Sequence, residues 1–183
     1  GGVQVDPAGG CVVSAGRFVF AHAGQGRPAA AGRSKKPSPM PAATPSAGID
    51  FGTSSSALAI VDAGGQVRFT QLATLGALAP SWRTLLFFDP EEQRPRQPIQ
   101  YTAGGEAIAA YLECMGEGRL LQSFKTHLTT AALGRTQIAH HAISLDDMIA
   151  LFLRRLRERA ELQWGAPIRA ATLGRPVRFA GGR

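Results

Sequence analysis

The fold of this chain is decided by one short stretch, Gly48-Ile49-Asp50-Phe51-Gly52-Thr53-Ser54-Ser55-Ser56. Its first five residues predict a short strand that ends at a glycine, and a second, largely apolar strand runs from Ser56 to Asp62. A tight turn therefore joins the two strands. Gly52 allows the backbone to approach an anion closely and to aim N–H groups at it, and the hydroxyls of residues 53–55 add donors. The stretch indicates a phosphate-binding turn, with a glycine- and serine-rich hairpin that binds no ligand as the alternative.

The sequence that follows the turn continues the sheet. Ala63-Gly64-Gly65 marks a second turn, and Val67 to Leu72 follows as a third strand, so the region is predicted to open as an antiparallel meander. Two more apolar runs, Thr84 to Phe88 and Ile168 to Leu173, are typical of buried strands. Gly174-Arg175-Pro176 is expected to end the last of them.

Two helices are predicted among these strands. Gly105 to Cys114 carries its apolar residues on one face. Leu145 to Trp164 is the clearer helix, because Ser144 is a good N-cap and Asp147 three residues later completes a pattern like a capping box. Its apolar residues recur at helical spacing; they are Leu145, Met148, Ile149, Phe152 and Leu156. Strands combined with helices in this way predict an α/β fold with a mixed sheet.

The first 46 residues differ in composition from the rest of the chain. They are rich in Gly, Ala, Pro and Ser and show no sustained period of 2 or 3.6 residues. Such a segment buries too little apolar surface to offset the entropy lost on ordering. We therefore expect a disordered basic tail or leader at 1–46 and one structured region at 47–183. Met40 stands just before the patterned sequence, and we expect it to be the native start.

The positive charge is concentrated in the first part of the chain. Residues 1–39 hold five basic residues and one acidic residue, a net charge of +4, whereas residues 40–183 hold 15 basic and 12 acidic residues, a net charge of +3. The structured region is thus only mildly basic, which disfavours nucleic acid as its partner. Cys11 and Cys114 stand apart without zinc-ligand spacing, and no apolar run is long enough for a membrane span. We expect a cytoplasmic protein without a membrane partner.

One lysine stands out in the structured region. Lys125, within Gln122-Ser123-Phe124-Lys125-Thr126-His127-Leu128, is the only lysine in residues 40–183, where arginine occurs fourteen times. A lysine places a compact point charge on a phosphate, a role that the planar fork of arginine does not reproduce. Asp50, at the end of the first strand, could hold water around a Mg²⁺ ion, which keeps most of its waters. An ordinary surface lysine is the alternative for Lys125.

These residues together resemble the actin-like ATPase superfamily, and most closely the DnaK-type heat-shock chaperones. The stretch 48–56 is similar to that family's first phosphate motif. Leu78-Ala79-Pro80-Ser81 with Leu85-Leu86-Phe87-Phe88 resembles its Pro-Ser segment and the following strand, and Gly105-Glu106-Ala107 resembles the next motif. Lys125 falls where the family keeps its catalytic lysine. The segment 170–179, with its Gly-Arg-Pro, is similar to a strand of the divergent YegD-like branch.

The resemblance implies a fold, a set of ligands and a role for each site residue. The fold would be part of an actin-like ATPase lobe of the ribonuclease H-like kind, and the ligands would be ATP or ADP with Mg²⁺. Lys125 would stabilise the transferring γ-phosphate, and Asp50 would support Mg²⁺ through water. Pro176 would couple nucleotide state to domain movement. The residues that would bind the cofactor around its phosphates are Asp50, Gly52, Thr53, Ser54 and Ser55.

The resemblance also has a gap. Family members continue with a second phosphate motif, an adenosine-binding segment and often a domain that binds client proteins, and none of these precedes Arg183. We therefore expect 47–183 to be the N-terminal part of a chaperone ATPase domain that does not hydrolyse ATP alone. Two other functions stay open. One is a fragment of a sugar kinase, which shares the first motif, and the other is a non-catalytic basic chain that binds nucleic acid. The second would use the tail and the arginines of the long helix, Arg154, Arg155, Arg157 and Arg159.

Overall fold

A computed structural model describes residues 2–5, 11–12, 17–19, 46–62, 64–129 and 134–174. Two α-helices lie in these ranges, α1 (Gly104–Glu113) and α2 (Leu145–Trp164), and a 3₁₀ segment covers Phe124–Thr129. The strands in the same ranges are β1 (Gly2–Val5), β2 (Cys11–Val12), β3 (Arg17–Val19), β4 (Ser46–Phe51), β5 (Ser55–Val61), β6 (Val67–Phe69), β7 (Leu72–Ala73), β8 (Leu78–Ala79), β9 (Trp82–Arg83), β10 (Leu85–Phe88), β11 (Thr102–Ala103), β12 (Arg119–Gln122), β13 (Thr136–Ile138), β14 (His141–Ile143) and β15 (Ala170–Gly174).

The main sheet is mixed, and its strands run in the order β2-β1-β3-β15-β4-β5-β6, with β9 also paired to β5. Strands β4, β5 and β6 form the predicted antiparallel meander. Strand β15 returns after α2 and pairs in parallel with β4, so that Gly174 lies opposite Asp50. The expected α/β class, with a mixed sheet, antiparallel strands and helices, is confirmed at this level.

The sheet extends beyond β15 through backbone segments that precede residue 20. Strand β3 pairs antiparallel with β15, β1 pairs in parallel with β3, and β2 pairs antiparallel with β1. These short strands lie within the segment 1–46, for which the sequence favours a disordered tail; the other residues of that segment before Ser46 lie outside the described residues. A free sheet edge offers unpaired N–H and C=O groups, and a strand can add to it by backbone bonds without the apolar periodicity that marks a core strand.

A smaller antiparallel sheet packs beside α1. Its central strand is β10, flanked by β11 and β12. All four residues of β10 are buried, as its apolar sequence predicted, and Ala107 of α1 is buried against Leu85 and Phe87. Two short hairpins, β7–β8 and β13–β14, complete the described strands. This second layer places the segment that follows β12 close to the main sheet.

Helix α2 has the predicted bounds and caps. The Ser144 hydroxyl accepts a hydrogen bond from the backbone N–H of Asp147 (3.2 Å), and the Asp147 carboxylate accepts one from the N–H of Ser144 (2.8 Å). Gly165 ends the helix with φ of +67°, a left-handed conformation that glycine adopts without strain. In the part of the chain that the structure describes, neither this helix nor α1 is long and apolar enough to cross a membrane.

An aromatic cluster joins α2 to the main sheet and to the 3₁₀ segment. The ring of Phe152 lies 5.9 Å from that of Phe51 and 6.1 Å from that of Phe124, and the rings of Phe51 and Phe124 are 6.3 Å apart. All three side chains are buried. Aromatic pairs at these spacings attract beyond simple burial. The cluster therefore fixes the 3₁₀ segment against the C-terminal end of β4.

Candidate phosphate-binding site

The turn between β4 and β5 depends on the absence of a side chain at Gly52. A β-carbon at this position would collide with the backbone carbonyl oxygen of Ser55. The backbone can therefore close the turn so tightly only with glycine at position 52. The sequence predicted a glycine at a tight turn, and the structure gives the reason as this close approach.

One of the hydrogen-bond donors expected to face a ligand at the turn, the backbone N–H of Gly52, is not available. The backbone N–H of Gly52 donates to the hydroxyl oxygen of Ser56 at 3.2 Å, so this donor already has a partner inside the protein. The side chains of Ser54 and Ser55 are exposed, and Thr53 is half-buried. The donors that remain for an anion are therefore the groups of residues 53–55, while Gly52 shapes the turn.

Lys125 lies directly against this turn. Its Nζ donates to the backbone carbonyl of Phe51, the residue before Gly52, although the two are 74 positions apart in the sequence. The ammonium also lies 5.2 Å from the centroid of the Phe51 ring, a distance at which the π face attracts a cation. Phe124, the next residue, is held in the aromatic cluster. The cluster thus anchors the backbone that carries Lys125.

Two opposing effects act on the pKa of Lys125. Partial burial lowers the pKa of the Lys125 ammonium from its usual value, because the charged form loses hydration, and the negative charge of Asp50 acts in the opposite direction. Asp50 itself is exposed at the end of β4. A further anion close to Nζ would stabilise the ammonium. A phosphate beside Lys125 would therefore offset part of the hydration that the ammonium loses.

Asp50 is the residue that the sequence offered for Mg²⁺. Within the ranges that the structure describes, no group of three or more His, Cys, Asp or Glu side chains is arranged to hold a metal ion. One exposed carboxylate still fits Mg²⁺, since this ion keeps several waters and takes its other ligands from the phosphates of a nucleotide. The donor set therefore fits Mg²⁺ that arrives with a nucleotide.

The structure brings together all the predicted site residues that it describes. Asp50, Lys125 and the turn residues, Gly52, Thr53, Ser54 and Ser55, lie around the C-terminal end of β4. Pro176, the predicted coupling residue, lies outside the described residues. The last described residue before it, Gly174, pairs with Asp50, so β15 ends beside the turn.

Two residues that contact the turn were missed in the sequence. Ser56 and Thr84 are buried, and their hydroxyl oxygens lie 2.7 Å apart. A signal was present for Ser56, because it occupies the same buried face of β5 as Leu58 and Ile60. A serine on a strand face that is otherwise apolar and buried needs a hydrogen-bond partner for its hydroxyl. Thr84 had no such signal, since its partner lies 28 positions away.

Three of the four α2 arginines on which the nucleic-acid alternative rests have acidic partners. Arg155 pairs with Glu158 at 3.0 Å, Arg157 with Glu161 at 3.7 Å and Arg159 with Glu106 of α1 at 2.6 Å. Arg155 also lies 5.0 Å from the centroid of the Tyr101 ring. Arg155 and Arg159 thus connect α2 to its surroundings, Arg157 pairs within the helix, and the charges of these three side chains are locally balanced.

A cavity of about 360 Å³ borders the turn at Ser55. Its wall includes Trp82, Arg83, Leu75 and Gly105, but not Lys125. The cavity lies between the β7–β8 hairpin, β9 and the start of α1. The candidate phosphate site is instead the surface between the turn and Lys125, beside the ammonium and the Asp50 carboxylate.

Comparison with known proteins adds no assignment to these observations. No model of a known protein family matches the chain, and no curated protein matches it.

Proposed function

We propose that this chain binds the phosphates of ATP or ADP, together with Mg²⁺, as part of an ATPase related to the DnaK-type chaperones. One observation carries the proposal. Lys125, the only lysine in residues 40–183, donates to the carbonyl of the residue that precedes the Gly52 turn. The two features that indicated phosphate chemistry independently in the sequence are thus in contact.

The electrostatics of Lys125 support a ligand of negative charge. A partly buried ammonium loses hydration, and among the described residues it gains the attraction of Asp50 and of the Phe51 carbonyl and ring. A phosphate next to Nζ would add a charge-assisted hydrogen bond, which contributes about 1.5–3 kcal/mol. In this proposal Lys125 stabilises negative charge on the terminal phosphate, and the groups of residues 53–55 bind the phosphate oxygens.

The architecture supports the finer assignment to an actin-like ATPase lobe. The strand pattern predicted a mixed sheet that opens with an antiparallel meander, and β4, β5 and β6 form such a meander. The resemblance implied a long helix followed by a strand. Helix α2 is followed by β15, which pairs in parallel with β4 and ends beside Asp50. These features agree with an actin-like lobe, and the lobe stays part of the proposal.

Mg²⁺ would arrive with the nucleotide and neutralise charge on its phosphates. Asp50 would hold the waters of that ion by accepting their hydrogen bonds. Lys125 and the turn supply charge and donors to the phosphates. We therefore propose that this chain binds the nucleotide and, as the resemblance implies, does not hydrolyse it steadily on its own. Client proteins would be bound by other regions of such a chaperone.

Calorimetric titration of the full 183-residue chain with MgADP and MgATP tests the proposal. Lys125→Met removes the charge and keeps a long apolar side chain. A charge-assisted bond of about 1.5–3 kcal/mol corresponds to a loss of affinity of roughly ten- to a hundredfold. AMP, which lacks the β- and γ-phosphates, should bind far more weakly than ADP.

Arg169→Met is the matched control for this substitution. Arg169 is exposed before the N-terminal end of β15, five residues from Gly174 and therefore about 16 Å from Asp50 along the strand. The control removes the same charge away from the site and should leave the affinity within about twofold, since exposed charges at that distance are largely screened. Equal affinities for the wild type and Lys125→Met, or no binding of either nucleotide by the wild type, would contradict the proposal.

A further inference from the structure

We propose that Thr84 is a positioning residue for the phosphate-binding turn and acts through the hydroxyl of Ser56. This inference rests on the proposed function, because it concerns how the same turn is held ready for phosphate. Thr84 is buried and lies between β9 and β10, outside the segment that carried the phosphate motif. It touches the turn without reaching the surface where a nucleotide would bind.

Two hydrogen bonds connect Thr84 to Ser54 and Ser56. Its backbone N–H donates to the carbonyl of Ser54 at 3.0 Å. Its hydroxyl oxygen lies 2.7 Å from that of Ser56. A single residue of the neighbouring segment therefore holds the turn at two points, one inside the turn and one at the start of β5.

The hydroxyl of Ser56 carries the connection to the other side of the turn. It accepts the backbone N–H of Gly52 at 3.2 Å, so Thr84, Ser56 and Gly52 form a continuous chain of hydrogen bonds across the turn. Gly52 must also stay close to the Ser55 carbonyl. The chain of bonds thus fixes the backbone from residue 52 to residue 56, which includes the turn residues predicted to bind phosphate, Gly52 to Ser55.

The two hydroxyls of this hydrogen-bond chain are buried, so neither can exchange its partner for water. Thr84 is 2% exposed and Ser56 is 1% exposed, next to the fully buried Trp82. Water therefore does not replace a missing partner, and a buried hydroxyl without a hydrogen bond is costly. If Thr84 lost its hydroxyl, Ser56 would have to reorient or lose a bond, and the N–H of Gly52 would lose its fixed acceptor geometry. Ordering the turn backbone on phosphate binding would then cost free energy and weaken the affinity.

Thr84→Val and Thr84→Ser test the inference in the full chain. Valine keeps the shape and removes the hydroxyl, whereas serine keeps the hydroxyl and removes a methyl group. We expect Thr84→Val to weaken MgADP binding about tenfold and Thr84→Ser to restore the affinity to within about twofold of the wild type. The amide proton resonance of Gly52 should move upfield in the valine variant, because its hydrogen bond weakens.

Thr70→Val is the control for the loss of a buried hydroxyl. Thr70 is as buried as Thr84, and its hydroxyl contacts the Trp164 indole N–H at 3.5 Å, away from the turn. This variant should lower thermal stability and leave the MgADP affinity of the folded protein unchanged. A purely structural role of Thr84 would give the same result in Thr84→Val, so unchanged affinity there would overturn the inference.

Ser56→Ala provides a second route if Thr84→Val does not fold. It removes the bridging hydroxyl with a smaller change in volume, and the same tenfold loss is expected. Affinity within twofold of the wild type in a folded Ser56→Ala variant would overturn the inference while leaving the proposed function intact. Absence of MgADP binding in the wild type would overturn the proposed function, and the inference with it.

Discussion

At the residue scale, Lys125 is the group whose chemistry depends most on its surroundings. Burial disfavours its charge, and the carboxylate of Asp50 favours it. The net effect is a pKa below the ordinary 10.5. Between the folded and unfolded pKa values the unfolded chain binds more protons, so this lysine makes stability rise with pH across that window. Below the folded pKa, the cost of holding a partly buried charge is fully present.

This balance predicts how the Lys125 pKa responds to mutation. Asp50→Asn removes the favourable charge and should lower the pKa further, because desolvation is then opposed less. The ¹³Cε resonance of labelled lysine reports the titration directly. Only Lys35, Lys36 and Lys125 contribute to that spectrum, and Lys125→Arg assigns the site signal. A Lys125 pKa that stays the same or rises in Asp50→Asn would contradict the electrostatic account.

The turn makes a separate prediction at Gly52. Gly52→Ala would force its β-carbon against the Ser55 carbonyl, and the resulting strain should cost about 1–3 kcal/mol of unfolding free energy. Gly48→Ala, in the preceding strand β4, is the matched control, since nothing lies within 4 Å of its added β-carbon. Urea unfolding of both variants measures the difference. Equal stabilities would show that the close approach does not constrain position 52.

At the element scale, α2 is the support on which the site is built. Its Phe152 packs against both Phe51, at the end of β4, and Phe124, beside Lys125. The helix also carries an ion pair from Arg159 to Glu106 of α1. Because one helix contacts both halves of the site, its stability limits how well the turn and Lys125 stay together.

The capping box predicts the contribution of the start of α2. Ser144→Ala removes the hydroxyl that accepts the Asp147 N–H and should cost about 1 kcal/mol, equivalent to a fall in Tm of roughly 2–4 °C for a chain of this size. Ser81→Ala, at an exposed serine outside any helix, should leave Tm unchanged. Calorimetry checks both, and a Tm of Ser144→Ala equal to that of Ser81→Ala would show that the cap is dispensable.

The elements show which parts of the fold can be predicted from sequence and why. Helix α2 was predicted with its bounds, because its N-cap and its apolar spacing are local signals. The predicted third strand, Val67 to Leu72, is split into β6 and the start of β7. The short strands β8, β9 and β12 were missed; β9 and β12 pair with distant partners, β5 and β10. The place of Lys125 was expected from its resemblance to a family motif, but its contact with the Phe51 carbonyl required the tertiary structure. The role of Thr84 depends on such a contact as well.

At the scale of the whole molecule, the pI of about 10.4 suggests a strongly basic protein, but the excess positive charge is not concentrated in the structured region. Residues 40–183 carry a net charge of only +3, and three arginines of α2 have acidic partners. The lone lysine of that region lies instead at the turn. The proposed phosphate binding therefore depends on a local arrangement of one ammonium, one carboxylate and a hydroxyl-rich turn, and not on the net charge.

The central claim is that the turn and Lys125 bind one phosphate-containing ligand together. The most direct measurement is a ¹⁵N and ¹³Cε-lysine NMR titration of the full chain with MgADP. We predict that the amides of residues 52–55 and the Lys125 resonance shift in parallel with a single Kd, and that the Lys125 pKa rises in the complex. Shifts confined to other regions, or an unchanged Lys125 resonance at saturating MgADP, would contradict the claim.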